Sequence, residues 1–225
     1  MKTTEVLIVE IRAAEGGADA KDLVREQLTL YIKRCARRCL DLTVIEESNG
    51  FVTIEVTGRG TKEAFVNEPG GHRWQRIPPT ERRGRVQTST VTVAVLSPPS
   101  ATELVIDERD IEWQACRGSG AGGQHRNMTD SAVQVFHRPS GLMVRCETER
   151  SQHQNRATAM NLLRARLLEH ERSRAVADRG SDRRQQIGSG MRGDKRRTIR
   201  VQDGVVTDHV LDVKWNLKNY LRGEW

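Results

Sequence analysis

A chain of 225 residues with 36% apolar residues supports one large domain or two small ones, with cores of modest size. Its formal net charge is +7, charged residues reach 30% and Arg far outnumbers Lys, which points to a polyanionic partner, nucleic acid first among them. No apolar run approaches the roughly 20 residues of a membrane-spanning helix, Met1-Lys2-Thr3-Thr4-Glu5 has no signal-peptide pattern, and nine aromatic residues are too few for a base-stacking platform.

The segment Glu5–Arg12 is rich in β-branched residues and predicts a strand, broken at Glu15-Gly16-Gly17. A helix follows, with Asp19 as its expected cap and Val24, Leu28, Tyr31 and Cys35 at helical spacing on one face. Leu42–Glu46 and Phe51–Thr57 read as strands joined at Ser48-Asn49-Gly50, and the alternation of Val52, Ile54 and Val56 predicts a sheet with one wet face. Asn67–Gly84 is polar and rich in Pro and Gly, so irregular loop is expected. A strand carrying Val91, Val93 and Val95 in phase then runs to Ser97-Pro-Pro-Ser100, where a domain boundary is expected.

The second unit is expected to hold a short strand at Trp113–Arg117, a hairpin from Ala132–Phe136 to Leu142–Cys146, and a helix opening at Ser151 with a Ser151/Gln154 capping box. Met160, Leu163 and Leu167 mark the buried face of that helix. Glu171–Arg200 contains ten basic and four acidic residues and several glycines, and is expected to be either phosphate-seeking and mobile or a solvated linker. Val201–Val213 returns to strand-like alternation and is expected to pair back onto the first unit. Cys35, Cys39, Cys116 and Cys146 form no CxxC pair and no zinc-finger pattern with histidine, so buried reduced thiols, no metal site and a cytoplasmic location are expected.

The chemistry-bearing segment is Arg117-Gly-Ser-Gly-Ala-Gly-Gly-Gln-His-Arg-Asn-Met-Thr-Asp-Ser-Ala132. No Lys-Ser/Thr follows the glycines, which excludes a P-loop, and the spacing does not fit a dinucleotide site. A linker with an incidental glutamine and a loop that presents Gln124 both remain open on physics alone. Glutamine has no pKa suited to general base work, but its amide can orient a water and its backbone N–H can donate to a developing oxyanion. Gly122 and Gly123 would give that N–H backbone angles closed to other residues.

The runs Ser119-Gly-Ala-Gly-Gly-Gln-His125, Thr129-Asp-Ser-Ala-Val133 and Glu149-Arg-Ser-Gln-His153 strongly resemble the class I bacterial peptide chain release factors. Further matches are Glu10-Ile-Arg-Ala13 with Gly16-Gly17, His72-Arg73 with Gln75-Arg76, Gly84-Arg85 with Thr88-Ser89, and Thr207-Asp-His209. The resemblance implies an α+β fold. A codon-reading sheet-plus-helix domain over 1–100, completed by 195–225, would enclose a small α+β Gly-Gly-Gln domain over 101–180, with 181–194 as a basic flexible connector. It also implies entry into the ribosomal A site and peptidyl-tRNA hydrolysis, with Gly122, Gly123 and Gln124 at the reacting ester.

By the same resemblance, Pro78-Pro79-Thr80 is the Pro-x-Thr loop of the branch that reads UAA and UAG. Thr80 would contact the first two bases, Gln75 and Thr88 the third, with Gly16, Asp19 and Gln87 completing the reading site. Arg117, Arg126, Arg183, Arg184, Lys195, Arg196 and Arg197 are the candidate contacts to 16S and 23S ribosomal RNA. The implied partners are the ribosome, peptidyl-tRNA, the mRNA stop codon and a release-factor glutamine methyltransferase acting on Gln124; no cofactor and a monomer are expected.

Several positions depart from the family. Gln87 replaces a His whose ring stacks on codon bases, Asp19 replaces a Glu near the helix tip, and Arg126 and Met128 replace a Val and a Lys. The helical domain that precedes the first strand in the family is expected to have no counterpart here, a shortening similar to the release-factor-H-like rescue proteins. Three functions therefore stay open: stop-codon-directed release, codon-independent or damage-specific ribosome rescue, and a catalytically idle protein that occupies the A site.

Overall fold

The alternation of small β-branched residues and the helical apolar stripe are both realised in a computed structural model, which describes residues 4–79, 81–98, 106–119, 128–191 and 193–225. These residues divide into two compact units, one formed by Met1–Pro99 with Arg179–Trp225 and the other by Ser100–Asp178. The fold is mixed α+β, and among the described residues no helix is long and apolar enough to cross a membrane.

The first unit is built on β1 (Glu5–Ala13), β2 (Asp41–Ser48), β3 (Phe51–Gly58), β4 (Gly70–Arg76) and β5 (Gln87–Leu96), joined by the late strands β9 (Lys195–Arg200), β10 (Val205–Asp208) and β11 (Val213–Asn216). Together they make one sheet in the order β11-β10-β9-β4-β5-β1-β3-β2. All pairs are antiparallel except β4 with β9. The expected period-2 pattern holds in β3, where Val52, Ile54 and Val56 have no exposed surface. Helix α1 (Gly17–Arg37) lays Leu23, Val24, Leu28, Tyr31 and Cys35 against this sheet. Burying side chains of this size contributes about 1.5–3 kcal/mol each, so the stripe rather than helix propensity fixes α1 in place. A short helix α2 (Thr61–Phe65) adds Phe65, which meets Tyr31 edge-on with ring centroids 5.3 Å apart.

The second unit is a three-stranded antiparallel sheet in the order β6-β7-β8, made of β6 (Ile111–Cys116), β7 (Ala132–His137) and β8 (Leu142–Cys146). Its core is closed by helix α3 (Gln152–Ile187), which brings Ala159, Leu163 and Leu167 onto Ile111, Val133, Val135 and Val144.

The structure differs from the sequence expectations at four places. Residues 70–76, expected to be loop, form the central strand β4, because its polar side chains find buried partners instead of water: His72 Nε2 lies 3.0 Å from the Glu68 carbonyl oxygen, and Arg76 pairs with Asp19. Gly71 suits that position, since a Cβ there would stand 2.5 Å from the Asp194 carbonyl oxygen at the start of β9. Asp19 does not cap α1; Gly16 occupies the N-cap at φ 130° with no side-chain cap bond. Residues 181–187 of the expected connector are the end of α3, so that part is helix, while β9 at 195–200 falls in the segment expected to complete the first unit. Of the four thiols, Cys35 and Cys146 are buried, Cys116 is half-buried and Cys39 is exposed.

A buried charged cluster joins the late strands to the early ones. Arg197, 1% exposed, donates to Glu68 Oε2 at 3.0 Å and to Asp208 Oδ2 at 3.1 Å. Tyr31 Oη and Trp225 Nε1 also donate to the Glu68 carboxylate, at 3.0 and 2.7 Å. Burial opposes ionisation of Glu68, but the charges of Arg197 and Arg34 outweigh it and bring its pKa down to about 2. His72 is shifted in the same direction, but here burial itself drives the shift: burial first, then the Arg197 charge, pushes its pKa down from 6.5 to about 4.

Between those two His72 values the unfolded chain binds a proton that the folded chain does not, so stability falls as pH drops through that window. At about 1.4 kcal/mol per pKa unit, the His72 contribution to acid destabilisation is about 3 kcal/mol. Glu68 adds a loss at lower pH, present as stability above its ordinary pKa of 4.5 and gone toward pH 2. Urea unfolding of the wild type and of His72→Gln across this range is expected to give a shallower pH slope for the variant between pH 6.5 and 4; identical slopes would refute the assignment.

Candidate nucleic-acid interface

The expected reading residues converge at one end of the large sheet. In the β4–β5 ladder Gln75 stands opposite Thr88 and Arg76 opposite Gln87. Both are half-buried at the same level, so one ligand edge can meet the pair together. The start of α1 closes on the same end: Thr90 N–H donates to the Glu15 carbonyl at 2.7 Å, and Ala14 N–H to the Thr90 carbonyl at 3.0 Å. Gly16 is required there, because a Cβ would stand 2.4 Å from Ser89 Oγ, beside Thr88.

Asp19 is 4% exposed and directs Oδ1 to Arg76 Nε and Nη2 at 3.1 and 2.7 Å. Glu26 takes Arg76 Nη1 at 2.5 Å. Burial works against the Arg76 charge, but these two carboxylates more than compensate and raise its pKa. Asp19 thus faces Arg76, the neighbour of Gln75, rather than solvent, and its role is to hold the end of β4 against α1.

The segment 77–86 joins β4 to β5. Thr80 lies outside the described residues; Pro78 is buried and Pro79 exposed. Glu81 ties the segment together. Its N–H donates to the Pro78 carbonyl at 3.0 Å, and its carboxylate accepts from Arg83 N–H at 2.8 Å, Gln87 Nε2 at 2.6 Å and Arg85 Nη2 at 3.2 Å. The bond from the Arg83 backbone, with that from Gln87, holds the Glu81 carboxyl below its usual pKa.

The glycine-rich segment joins β6 to β7, and Gly122, Gly123, Gln124 and Arg126 lie outside the described residues. Its two stems are described. On the leading side, Ser119 N–H and Oγ donate to the Glu147 carboxylate at 2.9 and 3.0 Å. Arg145 Nη2 bridges Glu147 Oε2 and the Arg117 carbonyl, each at 2.9 Å. The Ser119 backbone bond leads the set that keeps the Glu147 carboxyl ionised below its usual pKa. On the trailing side, the buried Asn155 donates to the Ser131 carbonyl at 2.8 Å and accepts from Glu149 N–H at 2.9 Å.

The basic candidates separate by burial. The Arg117 side chain is 68% exposed, 3.7 Å from Asp130, and Arg184 is exposed. Lys195 and Arg196 are half-buried, with Arg196 Nη2 donating to Asn67 at 3.1 Å. Arg183 is paired with Glu10 at 2.7 Å; burial alone would raise the Glu10 pKa, but Arg183 and Arg12 hold it low. Arg197 corrects the expectation of an RNA contact, because its guanidinium is consumed inside the core by Glu68 and Asp208.

Residues 2–93 match the PCRF domain and residues 100–210 the RF-1 domain. The chain is built of class I release-factor domains. Peptide chain release factor 1 of Borrelia garinii subsp. bavariensis is 42% identical over 97% of this chain and 63% of its own length, and that of Borrelia hermsii is 41% identical over the same shares. RF2 of Thermus thermophilus is similar in structure, with a TM-score of 0.55 at 29% identity, covering 98% of this chain and 65% of that one. The chain therefore spans just under two thirds of the length of these relatives.

Within these release-factor domains, the residues that sequence reasoning missed are the ones that hold loops. Glu147, Arg145 and Asn155 carried no signal of their own, although Glu149 to His153 of the release-factor motif flank Asn155. Trp113 entered the sequence reading only as the start of a strand: Arg156 lies 4.3 Å above its ring, at the edge of a cavity of about 440 Å³ that His153 and Arg164 also line.

Proposed function

We propose that this chain promotes hydrolysis of the peptidyl-tRNA ester in the ribosomal A site in response to a stop codon of the UAA/UAG type. The observation that carries this is the cross-strand pair Gln75–Thr88 beside Gly16, at the base of the segment that bears Pro78-Pro79-Thr80. The 42% identity to proteins named peptide chain release factor 1 supports the same choice. In this reading Met1–Pro99 with Arg179–Trp225 reads the codon, and Ser100–Asp178 brings Gln124 to the ester. The Gln124 backbone N–H stabilises the tetrahedral oxyanion and its carboxamide positions the attacking water, while ribosomal RNA and the tRNA ribose supply the remaining groups. Ser119 and Asn155 hold the stems from which that loop projects. Among the described candidates, Arg117, Arg184 and Lys195 are the basic residues left to meet RNA phosphates. The protein acts as a monomer in the cytoplasm, and the Gln124 side-chain nitrogen is the site for a release-factor methyltransferase.

A rescue function is the second reading. It is favoured by the absence of an aromatic ring at Gln87, whose amide is tied to Glu81. Peptide release from ribosomes carrying fMet-tRNA distinguishes the two. Release is expected with UAA or UAG in the A site and not with a sense codon or a truncated message. Release on truncated messages alone would move the chain to rescue, and none on any complex would end both readings.

A further inference from the structure

We infer that Gln87, locked by Glu81, is a specificity-determining residue that favours adenine over guanine at the codon position it meets; this rests on the codon-reading function proposed above. Gln87 is exposed at the first position of β5, opposite Arg76 and next to Thr88, so its side chain stands at the same sheet end as the Gln75–Thr88 pair. A free glutamine is ambivalent. Its amide can turn over and present either the oxygen or the nitrogen outward, and so accept from adenine N6 or donate to guanine O6.

Here that freedom is removed. Gln87 Nε2 donates to Glu81 Oε2 at 2.6 Å. An ionised carboxylate can only accept, so the amide cannot turn its oxygen toward Glu81. Glu81 is itself fixed by Arg83 N–H at 2.8 Å and Arg85 Nη2 at 3.2 Å, and its side chain is 6% exposed. These bonds favour its ionised form, which keeps the lock closed at neutral pH. Gln87 Oε1 makes no hydrogen bond among the described residues and is the group left to present.

The consequence for a base is asymmetric. Adenine offers the N6 amino group to Oε1. Guanine offers the O6 acceptor, which would face Oε1 directly, and the remaining Nε2 hydrogen lies beside the Glu81 charge, which repels O6. One hydrogen bond gained against one acceptor pair in conflict corresponds to a discrimination of about tenfold or more in kcat/KM. UAA, UAG and UGA differ only in adenine or guanine at the second and third positions, so the comparison needs no other substrate.

The test measures single-turnover peptide release at the three stop codons for the wild type, Gln87→Met and Glu81→Gln. The wild type is expected to favour UAA at least about tenfold over UAG or UGA, whichever places guanine at Gln87. Gln87→Met removes the acceptor, and Glu81→Gln offers the amide a partner that can donate or accept. Both are expected to shrink that ratio several-fold. Equal wild-type rates at all three codons, or a ratio unmoved in both variants while release persists, would overturn the inference and leave release activity standing. Absence of release at every codon would instead remove the function on which it rests.

Discussion

Replacing Arg197 with Ala is expected to lower the unfolding free energy of the first unit by about 3–5 kcal/mol, the cost of leaving buried carboxylates without their counter-charge. Two acids lose their nearest cation at once, Asp208 keeping only the longer contact with Arg196: Glu68 and Asp208 have no exposed surface, and each receives a guanidinium hydrogen bond from Arg197 near 3 Å. Arg34 cannot take over, because its Nη1 stands 3.8 Å from Glu68 Oε1 and its Nη2 is engaged by the Ala64 carbonyl. The guanidinium also sits 5.1 Å from the Trp215 ring centroid and 5.5 Å from that of Tyr220, so truncation opens a void among aromatic rings as well. In a domain of this size the loss corresponds to about 10 °C in melting temperature. Arg196→Ala is the control: its side chain is 13% exposed and its contact with Asp208 is longer, at 3.4 Å. A loss below about 1 kcal/mol for Arg197→Ala, no larger than ordinary surface substitutions give, would show that the cluster does not carry the join.

Replacing Glu147 with Ala is expected to reduce peptide release about 100-fold at every codon while leaving ribosome affinity within a few-fold of wild type, since a misplacement of about 1 Å in a catalytic group costs on that order. Glu147 fixes Ser119 through both its backbone N–H and its hydroxyl, and Arg145 braces Glu147 from the Arg117 carbonyl. Removing the carboxylate frees the leading stem of the loop that bears Gln124 and touches no expected codon contact. Glu147→Gln keeps an acceptor for Ser119 and is expected to fall between the two. Equal loss of binding and release in Glu147→Ala would mean that the clamp supports the unit as a whole rather than the loop.

The parts of the fold that were legible are those where burial follows apolar period. Val52, Ile54 and Val56 announce β3, and Val24, Leu28, Tyr31 and Cys35 announce the inner face of α1. Strand β4 was illegible for the opposite reason. Its seven residues include two glycines, His72, Arg73, Gln75 and Arg76, a composition that favours loop until the buried Glu68 and Asp19 and the half-exposed Glu26 supply partners from elsewhere in the chain. The basic stretch misled in the same way, because charge alone cannot distinguish the exposed Arg184 from Arg197 in the core. At the candidate site, motif resemblance located Gln75, Thr88 and Gly16 but not their pairing, which is a property of the β4–β5 register. The clamps at Glu81 and Glu147 stayed hidden because each depends on a backbone N–H whose direction no side-chain pattern records.

The parallel pairing of β4 with β9 also dictates how the chain must be made. Everything from Ser100 to Asp178 is threaded between the early and late parts of the first unit. A nascent chain that has just emerged through β5 therefore holds β4 with one flank unsatisfied until β9, far downstream, has been synthesised. The inserted unit has local strand pairings and can complete itself during that wait, whereas the surrounding sheet must close by a long-range step, the slower kind. Prematurely ended products would carry an open strand flank with His72 and Trp74 uncovered, a substrate for proteases and chaperones rather than a partly working factor.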